Sequence, residues 1–339
     1  MALREMLNPK LNPYFREGGM FQGFLVQDPG GRCLGRFALS YSPSYVKHWQ
    51  HSAAFLGFFE LVNHPGLASS IFTFAQDYSR KTFGTRHLIG PITLSTNYEC
   101  GLLIHPFDTP PSFQMAFNPP YYVELFENSG HWKPIQDLLA FDFPATTVMD
   151  PKVIRVTELL KKKFNVSLRS ANFKNFDQDS QIMYDIYHDA WKDNWGFTPC
   201  SKDEWDFLCK DLKKIAIEDF ILIGSMEGEP FGFSVVIPNL NVVLKTIPNG
   251  KLFPTGVFKL LTGIRKIRQG RLITMGVKKK FQHLGLGSLF YVETHQIGKR
   301  LRYEGAELSW VLESNLPMIR SLNAVGATVS RRYRIYQHV

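Results

Sequence analysis

Cysteine is scarce: the 339-residue chain has four, Cys33, Cys100, Cys200 and Cys209, all far apart. None forms a CxxC pair or a cysteine–histidine cluster at zinc-ligand spacing, so a reduced, metal-free interior is expected. Long apolar runs are absent too, and none approaches the roughly 20 residues needed to span a bilayer. Met1 to Lys10 carries Arg4, Glu5, Asn8 and Pro9 where a secretory signal needs an apolar core. The expected location is cytoplasmic. Acid is in deficit, with 39 lysines and arginines against 30 acidic residues and a net charge of +9. The excess favours an anionic partner such as nucleic acid, a phosphorylated cofactor or a membrane surface. What is present is ordinary for a folded protein: 44% apolar and 20% charged residues exclude a disordered, collagen-like or simple coiled-coil chain. At about 150 residues per domain the length suggests two domains.

Two apolar runs, Met20–Val26 and Cys33–Ser40, flank Asp28-Pro29-Gly30-Gly31 and predict a hairpin. A strand at Ala53–Leu61, a helix at Leu67–Phe83, a strand at His87–Leu94, a helix at Tyr121–Asn128 and a strand at Ile135–Phe143 follow. After Phe143 the short non-periodic stretch Pro144–Thr147 reads as a boundary, giving modules 1–146 and 147–339. The second half opens with a helix at Lys152–Phe164, a strand at Val166–Ser170 and helices at Gln178–Trp191 and Lys202–Ile217. It then repeats the earlier order: a hairpin of Phe220–Ser225 with Phe231–Ile237, a basic helix, a strand at Leu272–Val277, a helix at Leu286–Leu301, a strand at Glu307–Leu312, a helix at Pro317–Val325 and a strand at Ser330–Gln337. Hairpin, strand, helix, strand, helix, strand in both halves predicts a structural duplication with little sequence identity.

The most informative stretch is Val277-Lys278-Lys279-Lys280-Phe281-Gln282-His283-Leu284-Gly285-Leu286-Gly287, which joins a strand to a helix. Gly285 and Gly287 let the backbone turn tightly, and a helix start adds unpaired N–H donors and partial positive charge. Such a place holds phosphate oxygens, and three lysines upstream add attraction. A plain glycine turn is the alternative reading of the same letters.

The spacing Q-x-x-G-x-G after a strand-ending valine and a basic run resembles motif A of the GNAT acyltransferase family, whose loop grips the pyrophosphate of coenzyme A. Trp310–Asn315 followed by Leu322–Gly326 is similar to that family's next strand and helix. The resemblance extends across nearly the whole chain, to long two-module GNAT proteins. It implies an α/β fold of two tandem GNAT-like modules, each a mixed twisted sheet flanked by helices. It also implies binding of acetyl-CoA or a longer acyl-CoA by Gln282, His283, Leu284, Gly285, Leu286, Gly287 and Ser288. Met275 and Val277 on one splayed strand and Asn315 beyond the other would border the pantetheine arm. The first module has Leu61-Val62-Asn63-His64-Pro65-Gly66 at the corresponding turn, with one glycine and a proline, and is expected not to bind coenzyme A. No strand and helix are seen ahead of its first hairpin, so it is expected to be incomplete or differently closed. Asn97–Gly101 and Phe117–Tyr122 look similar to strings of the same group and are read as turn-forming structure.

Amine acylation needs a neutral amine, and an alkylammonium of pKa about 10.4 needs help to lose its proton. Strand alternation places Glu307, Ser309, Val311 and Glu313 on one face, making Glu307 or Glu313 the candidate base, with a strand-end ion pair as the alternative. Leu272–Val277 carries no carboxylate, and Leu322 stands where many GNAT members have a tyrosine acid, which leaves catalysis mostly by positioning. Tyr333 and Tyr336 are possible substitutes, though aromatic residues on a final strand favour a core role. Asp193-Asn194-Trp195-Gly196-Phe197 follows the helix that in this family borders the acceptor cleft, so Asn194 and Trp195 are candidate substrate contacts.

In Gly256–Gln269, Val257, Leu260, Leu261, Ile264 and Ile267 form one stripe ringed by Lys259, Arg265, Lys266 and Arg268. This reads as a core-facing helix with a solvated basic side, or as a helix lying on an anionic membrane. The resulting expectation is an acyl-CoA-dependent N-acyltransferase acting on a primary amine, with long-chain or sphingoid-type amines weighted above aminoglycosides. The rival is a non-catalytic acyl-CoA sensor. No interleaved basic-aromatic repeat, helix-turn-helix or zinc signature supports nucleic-acid binding.

Overall fold

The computed structural model describes residues 3–247 and 255–339. Apolar runs bounded by turn residues become the strands: β1 (Met20–Gln27), β2 (Cys33–Tyr41), β3 (Ala54–Leu61), β4 (Leu88–Gly90), β5 (Leu102–His105) and β6 (Trp132–Pro144) in the first half. The second half supplies β7 (Val166–Ser170), β8 (Ile221–Met226), β9 (Glu229–Pro238), β10 (Gln269–Val277), β11 (Gly305–Leu312) and β12 (Thr328–His338). All belong to one 12-stranded mixed sheet in the order β1-β2-β3-β4-β12-β6-β11-β10-β9-β8-β7, with β5 pairing β12 to the side.

The expected duplication is visible in that order. A hairpin pairs antiparallel with β3, which pairs parallel with β4, just as the β8–β9 hairpin pairs with β10 and β10 pairs parallel with β11. The last strands are exchanged. β12, from the end of the chain, pairs with β4, while β6, from the end of the first half, pairs with β11. The two then pair with each other from Thr328↔Asp142 to His338↔Trp132. Each half therefore completes its sheet with the other's final strand, so a cut in sequence near residue 146 does not cut the sheet.

Helices cover both faces, burying four large apolar clusters. Their ends follow local chemistry. The helix Lys202–Ile215 starts at Ser201, whose hydroxyl accepts from the Glu204 N–H, has Asp203 and Glu204 in its first turn and ends on Lys213 and Lys214. Those charges complement the helix dipole. Strand β4 is shorter than the sequence suggests. The helix Pro43–Trp49, capped by Ser42, and strand β5 were not predicted. The basic helix spans Thr255–Ile264, because Gln269 already pairs with Gly305 as the start of β10.

Candidate functional site

The parallel pairing of β10 with β11 runs from Gln269↔Gly305 to Leu272↔Leu308 and stops. Beyond it the strands splay, with Ile273–Val277 on one side and Ser309–Leu312 on the other. Two irregularities sit at the fork. Ile273 is an extra residue against β9, and the β11–β6 register shifts between Leu308 and Val311. Bulges of this kind re-aim side chains at site margins. The fork opens into a cleft of about 1100 Å³.

At one part of the rim lies the glycine loop. Gly285 has φ of 71°, and a Cβ there would meet nothing within 4 Å, so its backbone faces open space. The helix Gly287–Arg300 starts without a side-chain cap, and the amides of Leu286 and Gly287 have no acceptor among the described residues. Open space beside unclaimed donors at a helix start fits a phosphate group. Gln282 braces the loop by donating to the Val277 carbonyl at 2.9 Å. Met275, Val277, Gln282, Gly285, Gly287 and Asn315 all line the cleft, as do Asn194 and Trp195. His283, Leu284, Leu286 and Ser288 do not line it. Leu286 is fully buried, and the Ser288 hydroxyl donates to the Gly285 carbonyl at 2.8 Å. Asn315 also caps the helix Leu316–Ala324. The upstream lysines are not free charges: Lys278 and Lys280 pair with Glu229, and Lys279 pairs with Asp193. The donors that this loop leaves unclaimed therefore belong chiefly to the backbone. Two buried hydroxyls on cleft-lining residues, Thr274 Oγ1 and Tyr291 Oη, have no partner among the described residues.

The two expected basic candidates are elsewhere. Glu307 is buried, accepts from Arg331 and from the Ser309 hydroxyl, each at 2.6 Å, and does not line the cleft. Glu313 is exposed at the strand end and pairs with Arg332 at 2.6 Å. The register shift also breaks the alternation that gave them a common face. Leu308 and Val311, on opposite faces under strict alternation, enter the same core cluster. Leu322 is buried in that cluster, and Tyr333 and Tyr336 are fully buried in the other half's cores.

A carboxylate that sequence reasoning left in a turn occupies the cleft instead. Residues 92–101 form a loop closed by an Ile92–Cys100 bridge and by the Thr93 N–H donating to the Glu99 carbonyl at 2.9 Å. The loop docks on the second half: Thr96 donates to the Gly196 carbonyl at 2.6 Å and Asn97 to the Thr198 carbonyl at 3.0 Å. Tyr98 donates to Glu204 at 3.0 Å. Glu99, carried by this loop, lines the cleft, and its carboxylate has no hydrogen-bond or ion-pair partner among the described residues. Glu99 is exposed to the cleft, and partial desolvation by the protein packed around it raises its pKa above the usual carboxylate value. Arg271 pulls it down and Glu60 pushes it up. Arg271 also lines the cleft, held by Ser309 and by the Phe113 carbonyl at 2.8 Å. Burial lowers its pKa to about 10, so it remains cationic at neutral pH. A partnerless carboxylate of raised pKa in a cleft can take a proton. The sequence signal that could have found it was the Asn97–Gly101 string.

The turn carrying Asn194 and Trp195 is fixed between the halves: Trp49 donates its indole N–H to the Phe197 carbonyl at 2.8 Å. Trp191 lies against Gly276, where a Cβ would come within 2.1 Å of the ring. At the first half's corresponding turn, His64 Nδ1 accepts from the Leu67 N–H at 3.0 Å and so caps the helix Pro65–Thr82. The first N–H donors of this helix are thus partly claimed by a side chain of the protein itself.

No protein-family model matches the chain. It is 33% identical over 348 residues to the bacterial ceramide synthase of Caulobacter vibrioides (strain NA1000 / CB15N), covering 99% of this chain and 88% of that protein. It is 30% identical over 319 residues to the protein YghO of Escherichia coli (strain K12), covering 92% of this chain and 80% of that protein. A tandem GNAT protein from the clavulanic acid biosynthesis pathway superposes with a TM-score of 0.53 at 12% identity, over 96% of this chain and 83% of that one, and shares the fold.

Proposed function

The chain belongs to the GNAT acyltransferase superfamily, in the group that includes the bacterial ceramide synthase of C. vibrioides, and from this we propose that it is an acyl-CoA-dependent N-acyltransferase whose acceptor is a long-chain, sphingoid-type amine. The observation that carries the reading is one continuous cleft that joins an open glycine loop, a partnerless carboxylate and an apolar wall including Phe113, Trp205, Leu208 and Leu212. A volume of about 1100 Å³ exceeds what a short acyl group and a small amine need, and the apolar wall suits alkyl chains.

Bound acyl-CoA supplies the activated acyl thioester. The chain's residues do the rest. The amides of Leu286 and Gly287 hold phosphate oxygens at the helix start, and the free edges of β10 and β11 near Met275, Val277 and Asn315 hold the pantetheine arm. Asn194 and Trp195 border the acceptor. Glu99 removes the proton from the acceptor's ammonium group, a task that the ion pairs of Glu307 and Glu313 withhold from them. Arg271 limits how far the surrounding protein raises the Glu99 pKa.

Residues 1–146 then form a module without a phosphate loop, whose contribution is Glu99, and residues 147–339 form the module that binds acyl-CoA. A lipid acceptor resides in a bilayer, so the function carries with it peripheral contact with a membrane from the cytoplasmic side. The direct test is release of free thiol from palmitoyl-CoA, which should depend on added sphinganine and be far slower with short amines. Tight acyl-CoA binding without amine-dependent release would assign a sensing role instead.

A further inference from the structure

From Pro230 to Val292 the sequence has ten lysines and arginines and no aspartate or glutamate. In the middle of this stretch the helices Asn241–Leu244 and Thr255–Ile264 pack together. Leu240, Val243 and Ile267 are buried between them and the body, and Leu260 and Ile264 pack against this cluster. Phe113 and Ile215 complete the contact, and both also line the cleft. Asn241, another cleft-lining residue, donates to the Pro111 carbonyl at 2.9 Å. The helix pair therefore stands at the margin of the candidate site.

The stripe that the sequence predicted for this segment divides on folding. Leu260 and Ile264 turn inward while Leu261 is 64% exposed, and Phe258, outside that stripe, is 71% exposed. Three residues apart on one helix, these two share a face. Val242 and Leu244 on the neighbouring helix are also exposed. Lys245, Lys259, Arg265 and Lys266 surround these side chains, all exposed and none in an ion pair among the described residues. Lys259 donates only to the Thr246 carbonyl, at 3.0 Å.

We propose that the exposed face of these two helices docks on an anionic lipid bilayer, with Phe258 and Leu261 in the acyl-chain boundary and the four cations at the headgroups. Charge decides the occupant. Exposed aromatic and aliphatic side chains ringed by unneutralised cations, with no acid for many residues on either side, match the combination that holds interfacial helices. A second copy of this chain would set like charges against each other. No described helix is long and apolar enough to cross a membrane, so the contact is peripheral. This inference rests on the lipid-amine reading for its purpose, since it places the margin of the cleft where an amine with long chains can enter from the bilayer. Its physical content is separable from that reading.

The test is sedimentation of the full chain with sucrose-loaded vesicles of phosphatidylcholine alone or with phosphatidylglycerol. The expected result is binding that requires phosphatidylglycerol and weakens with salt. It should fall roughly tenfold or more in the pair Phe258→Ser, Leu261→Ser, and by a similar factor in Lys259→Glu, Lys266→Glu. Circular dichroism and thermal melting check that each variant is folded. Acyl-CoA binding in vesicle-free solution should be unchanged in all of them. Absence of binding to anionic vesicles at low salt, or equal binding by folded variants, overturns the proposal. So does a dimer of the parent chain in sedimentation velocity that the Phe258→Ser, Leu261→Ser pair disperses, because it assigns the face to self-association. Loss of amine acylation with intact vesicle binding would instead count against the functional reading and leave the docking surface standing.

Discussion

Tyr187 of the second half, half-buried, donates its phenolic hydroxyl to Asn97 of the first at 2.8 Å, across 90 residues of sequence. The bond fixes the tip of the loop that carries Glu99 against the helix Phe176–Trp191, one wall of the cleft. The first half therefore supplies part of the cleft wall. Its rigidity matters because a base displaced by even one ångström loses much of its effect.

Glu99→Gln should lower the rate of amine acylation by roughly 10²- to 10⁴-fold. Between the base's own pKa and that of the amine, the deficit should be largest at the low-pH end, where little amine is already neutral, and should shrink as pH rises. Partial desolvation raises the Glu99 pKa, so the acidic limb of the parent profile should lie above the ordinary carboxylate range. Acyl-CoA affinity in calorimetry should hardly change. An unaltered rate and profile would remove Glu99 from the mechanism.

Gly285 has φ of 71° beside open space, so Gly285→Val both strains the backbone and projects methyl groups toward the proposed phosphate. Acyl-CoA binding should disappear while the circular dichroism spectrum is kept. The parent chain should bind one acyl-CoA per chain, since His64 occupies the equivalent helix start in the first half. Two sites of similar affinity would contradict this.

Glu307→Gln breaks a buried ion pair and leaves Arg331 charged beneath the sheet, which should cost about 3–5 kcal/mol of stability by denaturant unfolding. Acylation per folded molecule should be preserved. A stable, inactive variant would return Glu307 to the list of bases.

Glu204 has its pKa raised to about 7, chiefly by burial, with the Tyr98 hydrogen bond lowering it and Glu17 adding to the rise. The folded state holds this proton more tightly than the unfolded chain does, for which about 4.3 is usual. The favourable contribution is thus complete below the unfolded value and is lost as pH rises through about 7. Thermal melts should show parent stability falling between those limits by a few kcal/mol. In Glu204→Gln, which still accepts from Tyr98, that slope should largely vanish.

Much of the fold was legible because its elements are local. Apolar alternation and turn residues marked β1, β2, β3, β8 and β9. The strand exchange was not legible. Whether β12 pairs with β4 or with β11 depends on long-range packing, and no feature of Ser330–Gln337 encodes its neighbour. The glycine loop was legible because φ near 71° and a helix start leave a chemical trace in the letters. Glu99 was not, since a carboxylate in a turn becomes a cleft residue only when Thr96 and Asn97 dock on a distant loop. Glu307 and Glu313 misled for the opposite reason. Strict alternation predicted a shared face, and one inserted residue in β11 removed it.

The most direct measurement incubates the purified chain with isotope-labelled palmitoyl-CoA and sphinganine and identifies the labelled lipid by mass spectrometry. The account predicts an amide of the two, formed only when both are present and matched one for one by released coenzyme A. Label found only as free fatty acid or as an ester on a hydroxyl, or no conversion by a chain that binds acyl-CoA, would contradict it.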